Sequence, residues 1–229
     1  MSGLVRYSSI DTGFRREFLL LQGTGCRWHG CTFCDYHLDR SSDPFEVNRE
    51  VLAMVSGRYG VLDIIDSGSA MELDERTLAL IADMVRQKNI HDLWFEAHWM
   101  YRHQLEAFSS RFDCRVHYRT GIESFNPELR VKWNKGVGRD VTPEDVARYF
   151  DGVCLLAGME GQSADDVMRS VEIAESLFSY YSVNLFCPNT SAEKRNDELA
   201  RIFIETLAPQ IRRSTKAEVL IDNRDLGVG

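Results

Sequence analysis

The chain has 229 residues, 44% of them hydrophobic, with a formal net charge of −8 and a pI near 5.3. That length buries one sizeable core and would cramp two, so a single compact domain over 1–229 is expected. The acidic balance argues against a large phosphate-binding surface and so against a nucleic-acid partner. No run of about 18 apolar residues occurs, and the N-terminus lacks a basic start followed by an apolar stretch. A cytoplasmic protein with no membrane partner is expected.

Taken in chain order, the first apolar run predicts a strand over Glu17–Leu21. Directly behind it comes Cys26-Arg-Trp-His-Gly-Cys31-Thr-Phe-Cys34, three cysteines within nine residues. Asp43-Pro-Phe-Glu46 combines an N-cap, a first-turn proline and an early carboxylate, predicting a helix over 44–56 with Asp43 as cap. A strand follows over Val61–Ile65, then a helix opened by Asp74 and reaching Gln87. Further strands are expected over Asp92–Glu96 and Arg115–Arg119. Thr142-Pro-Glu-Asp145 caps another helix, and a strand over Gly152–Leu156 leads to Ser163-Ala-Asp-Asp166, which caps a helix to about 179. Ser182–Phe186 completes the strands, a last helix is expected over 192–208, and the weaker run Ala217–Ile221 adds a strand or covers one end of the sheet. Alternating strands and capped helices predict βα units around a parallel sheet, with active residues in the loops at the carboxyl ends of the strands.

The cysteine loop stands at such an end. A closed structural zinc or iron–sulfur site normally takes four protein ligands, so three thiolates leave one metal position for a substrate or cosubstrate. The alternatives at this point are a zinc knuckle completed by His29 or His37 and three unconnected thiols. Cys114, Cys154 and Cys187 are scattered through apolar contexts, which speaks against a disulfide framework.

With Phe33 immediately before the last cysteine, this loop resembles that of the radical S-adenosylmethionine (SAM) superfamily, although its Cys-x4-Cys-x2-Cys spacing carries one residue more than the usual Cys-x3-Cys-x2-Cys. Asp66-Ser-Gly-Ser69 resembles the elongator-like variant of the loop that meets the amino group of SAM. Arg119-Thr-Gly-Ile-Glu123-Ser and Trp133-Asn-Lys-Gly136 resemble the Gly-x-Glu-(Ser/Thr) loop and its downstream element, and Gly158-Met-Glu-Gly161 resembles the region that supports the adenine. The resemblance covers nearly the whole chain and implies a partial (β/α)6 barrel.

It further implies that Cys26, Cys31 and Cys34 hold a [4Fe-4S] cluster whose remaining iron binds SAM. Phe33, Ser67, Gly68, Ser69, Glu123, Gly158, Leu185 and Phe186 are the SAM contacts it implies. An external low-potential donor supplies one electron, and SAM is cleaved to a 5'-deoxyadenosyl radical that takes hydrogen from a small-molecule substrate. Substrate contacts are sought among Asp35, His37, Glu96, His98, Arg119, Asp222 and Arg224, with residues 217–229 closing the barrel mouth. Members acting on modified purine-like bases fit the size and acidity, so the expected reaction is lyase cleavage of queuine or a related base, in which carboxylates would accept from a guanine-like N–H edge. The rival expectation is a zinc or iron–sulfur interaction protein without catalysis.

Overall fold

Short β-branched and leucine-rich runs bounded by Gly, Asp and Ser become strands in the computed structural model, which describes residues 4–229. The described residues divide into two compact units: one from the chain up to His29, Tyr36–Tyr118 and Arg224–Gly229, the other from Gly30–Asp35 and Arg119–Asn223.

In the first unit β1 (Tyr7–Ile10) pairs antiparallel with β2 (Arg16–Leu21), and β2, β3 (Val61–Asp66) and β4 (Asp92–Glu96) are parallel neighbours. Strand β1 escaped the sequence reading because four residues, two of them serine, give too little alternation. One face of β2 and β3 buries Leu19, Leu21, Leu62 and Ile64, while the other holds the fully buried ion pair Arg16 Nε–Asp63 Oδ2 at 2.7 Å. Helix α1 (Phe45–Leu52) begins one residue later than expected and has no side-chain cap: Pro44 occupies the cap position, and Asp43 is turned to Arg76 instead. Helix α2 (Glu75–Gln87) is capped by Asp74, whose carboxylate accepts the Thr77 N–H. A short helix α3 (Leu105–Ser109) precedes β5 (Arg115–Glu123), which passes from the first unit into the second. It runs four residues past its expected end.

In the second unit the later part of β5, then β6 (Gly152–Ala157), β7 (Tyr180–Leu185) and β8 (Ala217–Leu220) are parallel neighbours in that order. The weak C-terminal run is therefore a strand. Helices α4 (Pro127–Lys132) and α5 (Pro143–Ala147) start at Asn126 and Thr142 caps, and α6 (Ala164–Leu177) at a Ser163–Asp166 capping box. The last helical stretch begins at α7 (Asp197–Ile202), five residues later than expected, because the Asn196 side chain is its cap, accepting from Leu199 N–H. It then opens into a π turn (Phe203–Leu207) before α8 (Ala208–Ile211). Pro209 has no N–H for the carbonyl four residues earlier, a recognised cause of such opening.

Candidate functional site

In the first unit the segment leading to Cys26 is fastened by the turn after β3. Ser67 Oγ accepts Gly23 N–H at 2.9 Å, and the Glu72 carboxylate accepts Arg27 N–H at 3.0 Å and Tyr101 O–H at 2.7 Å. Gly68 allows this approach: a methyl group there would lie 2.7 Å from Glu72 Oε2 and 3.2 Å from the Cys26 Cα. Ser69 Oγ accepts His98 N–H at 3.2 Å. The expected amine-binding hydroxyls of Ser67 and Ser69 thus also tie loops together. Asp66 Oδ1 accepts Gly68 N–H, while Oδ2 is buried without a partner. Burial pushes this carboxyl up to about 8, with Glu72 and Glu96 adding to the rise.

His98 was expected at the substrate. It caps the turn after β4, its Nδ1 accepting Met100 N–H at 3.2 Å, and its ring stacks on Trp28 with centroids 5.2 Å apart. The rings of His29 and His37 lie 6.5 Å apart. Glu96 ends β4, partly buried. Arg224 is exposed, and the residues after it are held to the N-terminal segment: Val5 and Gly229 exchange backbone hydrogen bonds at 3.2 and 2.8 Å, and Leu226 O accepts from Ser8 Oγ.

In the second unit Phe33 packs with Leu129, Trp133, Leu156, Met159 and Phe186, and Cys31 and Cys34 lie against this cluster. Trp133 O accepts Thr32 N–H at 3.1 Å, Asn134 Nδ2 donates to Gly30 O, and Asn189 Nδ2 donates to Phe33 O, both at 2.8 Å. The Asp35 carboxylate accepts the Thr190 N–H and O–H at 2.9 and 2.8 Å, and Thr32 Oγ1 donates to Glu193 at 2.6 Å. Asp35, an expected substrate contact, is therefore engaged in holding the loop.

Glu123 has φ of 64°, uncommon for a residue with a side chain, at a register shift in β5, and pairs with Lys135 at 2.9 Å. Lys135 Nζ also lies 5.8 Å over the Phe33 ring. The Arg119 guanidinium lies 5.8 Å over Tyr180, whose O–H donates to Glu218. Gly158, at φ 86°, faces Leu185 and Ala200: Leu185 points toward α7, while Asn184 lies on the other face of β7 and Phe186, just past the strand, joins the Phe33 cluster. Asn184 Oδ1 and Trp133 Nε1 are buried without partners. Asp222 is exposed just beyond β8.

Sequence reasoning passed over Glu72, Tyr101, Lys135, Asn184, Asn189, Thr190 and Glu193. Lys135 stood inside a recognised motif. Glu72, Tyr101, Asn189, Thr190 and Glu193 carry no local signal, because each acts through a partner far away in the chain, and Asn184 is marked only by its buried oxygen.

No protein-family profile matches the sequence, and no curated protein matches it. Among solved structures, a queuine lyase from Clostridium spiroforme bound to SAM and queuine is 34% identical, with a TM-score of 0.94 over 99% of this chain and 100% of that one. SuiB of Streptococcus suis bound to S-adenosylmethionine gives a TM-score of 0.56 over 91% of this chain and 48% of that one, at 12% identity, a likeness of fold alone. The fold and the cysteine loop define a radical SAM enzyme with a partial (β/α) barrel, using a [4Fe-4S] cluster and SAM. Within that class, the chain belongs to the queuine lyase family. The rival reading, a zinc or iron–sulfur protein without catalysis, is not favoured.

The residues present fit these groups. Three thiols, all part-buried and in no disulfide among the described residues, are a soft donor set suited to an iron–sulfur cluster. The buried unpartnered atoms of Asp66, Trp133 and Asn184 are polar groups of the kind a bound polar molecule would satisfy. Among the described residues no three His, Cys, Asp or Glu side chains are already gathered to hold a metal ion. No helix among the described residues is long and apolar enough to cross a membrane.

Proposed function

We propose that this chain is a queuine lyase, cleaving queuine at its amine linkage by radical SAM chemistry. The observation that carries the reading is likeness over the full length of both chains to the lyase bound to SAM and queuine. When bound, cluster and SAM supply one-electron cleavage of a carbon–sulfur bond and the hydrogen abstraction that follows. Everything else falls to the chain.

Cys26, Cys31 and Cys34 hold the cluster. Glu123, held in a strained backbone and paired with Lys135, accepts from the hydroxyls or amine of SAM. The turn Ser67, Gly68 and Ser69 receives the amino group. Phe33 and Phe186 supply apolar wall, and Gly158 with the backbone at Leu185 supports the adenine. For substrate the set is Asp35, Glu96, His98 and Arg119, joined by Asn184; the Asp35 carboxylate and His98 Nδ1 also hold loops. His37, Asp222 and Arg224 remain in the set, with residues 217–229 covering the site and 1–229 acting as one core domain. An external low-potential donor supplies the electron. The protein is cytoplasmic and does not act on nucleic acid, in keeping with its charge of −8.

The test is incubation of the reconstituted, reduced enzyme with SAM and queuine, followed by mass spectrometry. Loss of queuine matched by a base lacking its amine-linked ring supports the reading; intact queuine beside 5'-deoxyadenosine removes the substrate and keeps the class. Ala at Cys26, Cys31 or Cys34 should abolish iron uptake and turnover, while Ala at Cys114 or Cys154 should spare both. Cys114 stands apart from the cysteine loop in the chain, and burial pushes its thiol up to about 11, with Asp92 and Asp113 adding to the rise.

A further inference from the structure

The spacer between Cys26 and Cys31 is four residues, Arg27-Trp-His-Gly30, one more than the three usual in the superfamily. The extra length is not slack. Arg27 N–H is bound by Glu72 Oε2 at 3.0 Å, and the other carboxylate oxygen of Glu72 accepts Tyr101 O–H at 2.7 Å. Trp28 stacks on His98, itself tied to Ser69. His29 then adopts a positive φ of 28°, a sparsely populated conformation. That turn aims the His29 N–H at Cys26 Sγ, 3.3 Å away, while its ring Nδ1 lies 3.1 Å from Cys26 O and 3.2 Å from Arg27 O, which requires the proton on Nδ1.

Glu72 is also placed with care. Its own N–H donates to Ser69 O at 2.7 Å, its carbonyl accepts Thr24 O–H at 3.4 Å, and only a glycine at 68 leaves room for its carboxylate beside the Cys26 backbone. A carboxylate bound to a backbone N–H one residue after a ligand sets where that ligand's backbone sits. Hydrogen bonds to cluster sulfurs raise reduction potential by stabilising the more negative, reduced state.

We propose that Glu72, braced by Tyr101, is a positioning residue for the cluster: it fixes the four-residue spacer so that the His29 N–H donates to the Cys26 thiolate. The proposal rests on the cluster reading of the three cysteines. It assigns a purpose to the extra residue, which carries the donor and makes the turn.

The test uses the full-length reconstituted protein with Glu72→Ala, Glu72→Gln and Tyr101→Phe, reading cluster potential by redox titration, iron loss to a chelator, and the EPR spectrum of the reduced cluster. Glu72→Ala is expected to shift the potential to more negative values and to lose iron about tenfold faster, the usual scale for a group supporting a ligand. Glu72→Gln keeps an oxygen for Arg27 N–H and should restore wild-type potential and iron retention. Tyr101→Phe, which leaves the carboxylate in place without its brace, should shift the potential in the same direction by less. Wild-type potential and iron retention in Glu72→Ala overturn the proposal. Should Glu72→Ala fail to fold, an unshifted potential in Tyr101→Phe overturns it and a negative shift supports it. If the wild-type protein itself takes up no iron, the cluster reading falls and the proposal with it, so the two failures are told apart.

Discussion

Asp66 shows how much a single residue at the site depends on its surroundings. An aspartate at a strand end reads as an ordinary turn former, yet here burial raises its carboxyl from 3.8 to about 8. The unfolded chain ionises near pH 4 while the folded chain keeps the proton, so its stabilising contribution is complete below pH 4 and is lost as pH rises to about 8. Asp66→Asn keeps an oxygen for the Gly68 N–H and removes the titration. Urea unfolding should place the variant close to wild type at pH 4 and more stable by up to about 5 kcal/mol at pH 8. A constant difference across that range would show that Asp66 is ionised in the fold. At the same scale, the three cysteines, Phe33 and Glu123 stand out in the sequence because motif and position agree. The Glu123–Lys135 pair does not: Arg119 and Arg130 are nearer in sequence, and the bulge in β5, with Glu123 at positive φ, accompanies the turn of the carboxylate to Lys135.

Elements were legible where local chemistry is sufficient. Asp74, Thr142 and Ser163 cap the helices they were expected to cap, since a side-chain oxygen three residues from a free N–H finds it without help from the rest of the fold. Ser163→Ala should cost about 1 kcal/mol and lower the melting temperature by about 2–4 °C, measurable by thermal unfolding. Asp43 failed as a cap because Arg76, on α2, offered a charged partner that no reading of residues 43–46 contains. Strand β1 was missed because its support is Glu17, on its neighbour, which accepts Tyr7 O–H at 2.8 Å. Glu17 in turn takes the Ser56 and Gly57 N–H groups, so the stretch where the helix was expected to continue past Leu52 is used for holding β2 instead.

For the whole molecule, the order of the units along the chain matters more than their number. Residues 30–35 belong with Arg119–Asn223, and residues 224–229 belong with the N-terminal part. A cut between Tyr118 and Arg119 therefore leaves neither fragment with a complete unit: the first carries residues 30–35 away from Asn189 and Thr190, and the second carries Gly229 away from Val5. Each fragment alone should show weak protection in amide hydrogen exchange and no cooperative melt, whereas the uncut chain should melt cooperatively. The sequence by itself determined the chemistry: three thiolates in nine residues, the alternation of strands and capped helices, and glycines and a glutamate at the strand ends, all set by contacts within a few residues. Only the tertiary structure decided how the loop is held. Glu72, Asn189 and Thr190 reach it from 45 to 156 residues away through backbone groups, and a backbone N–H or C=O is the same at every position in a sequence.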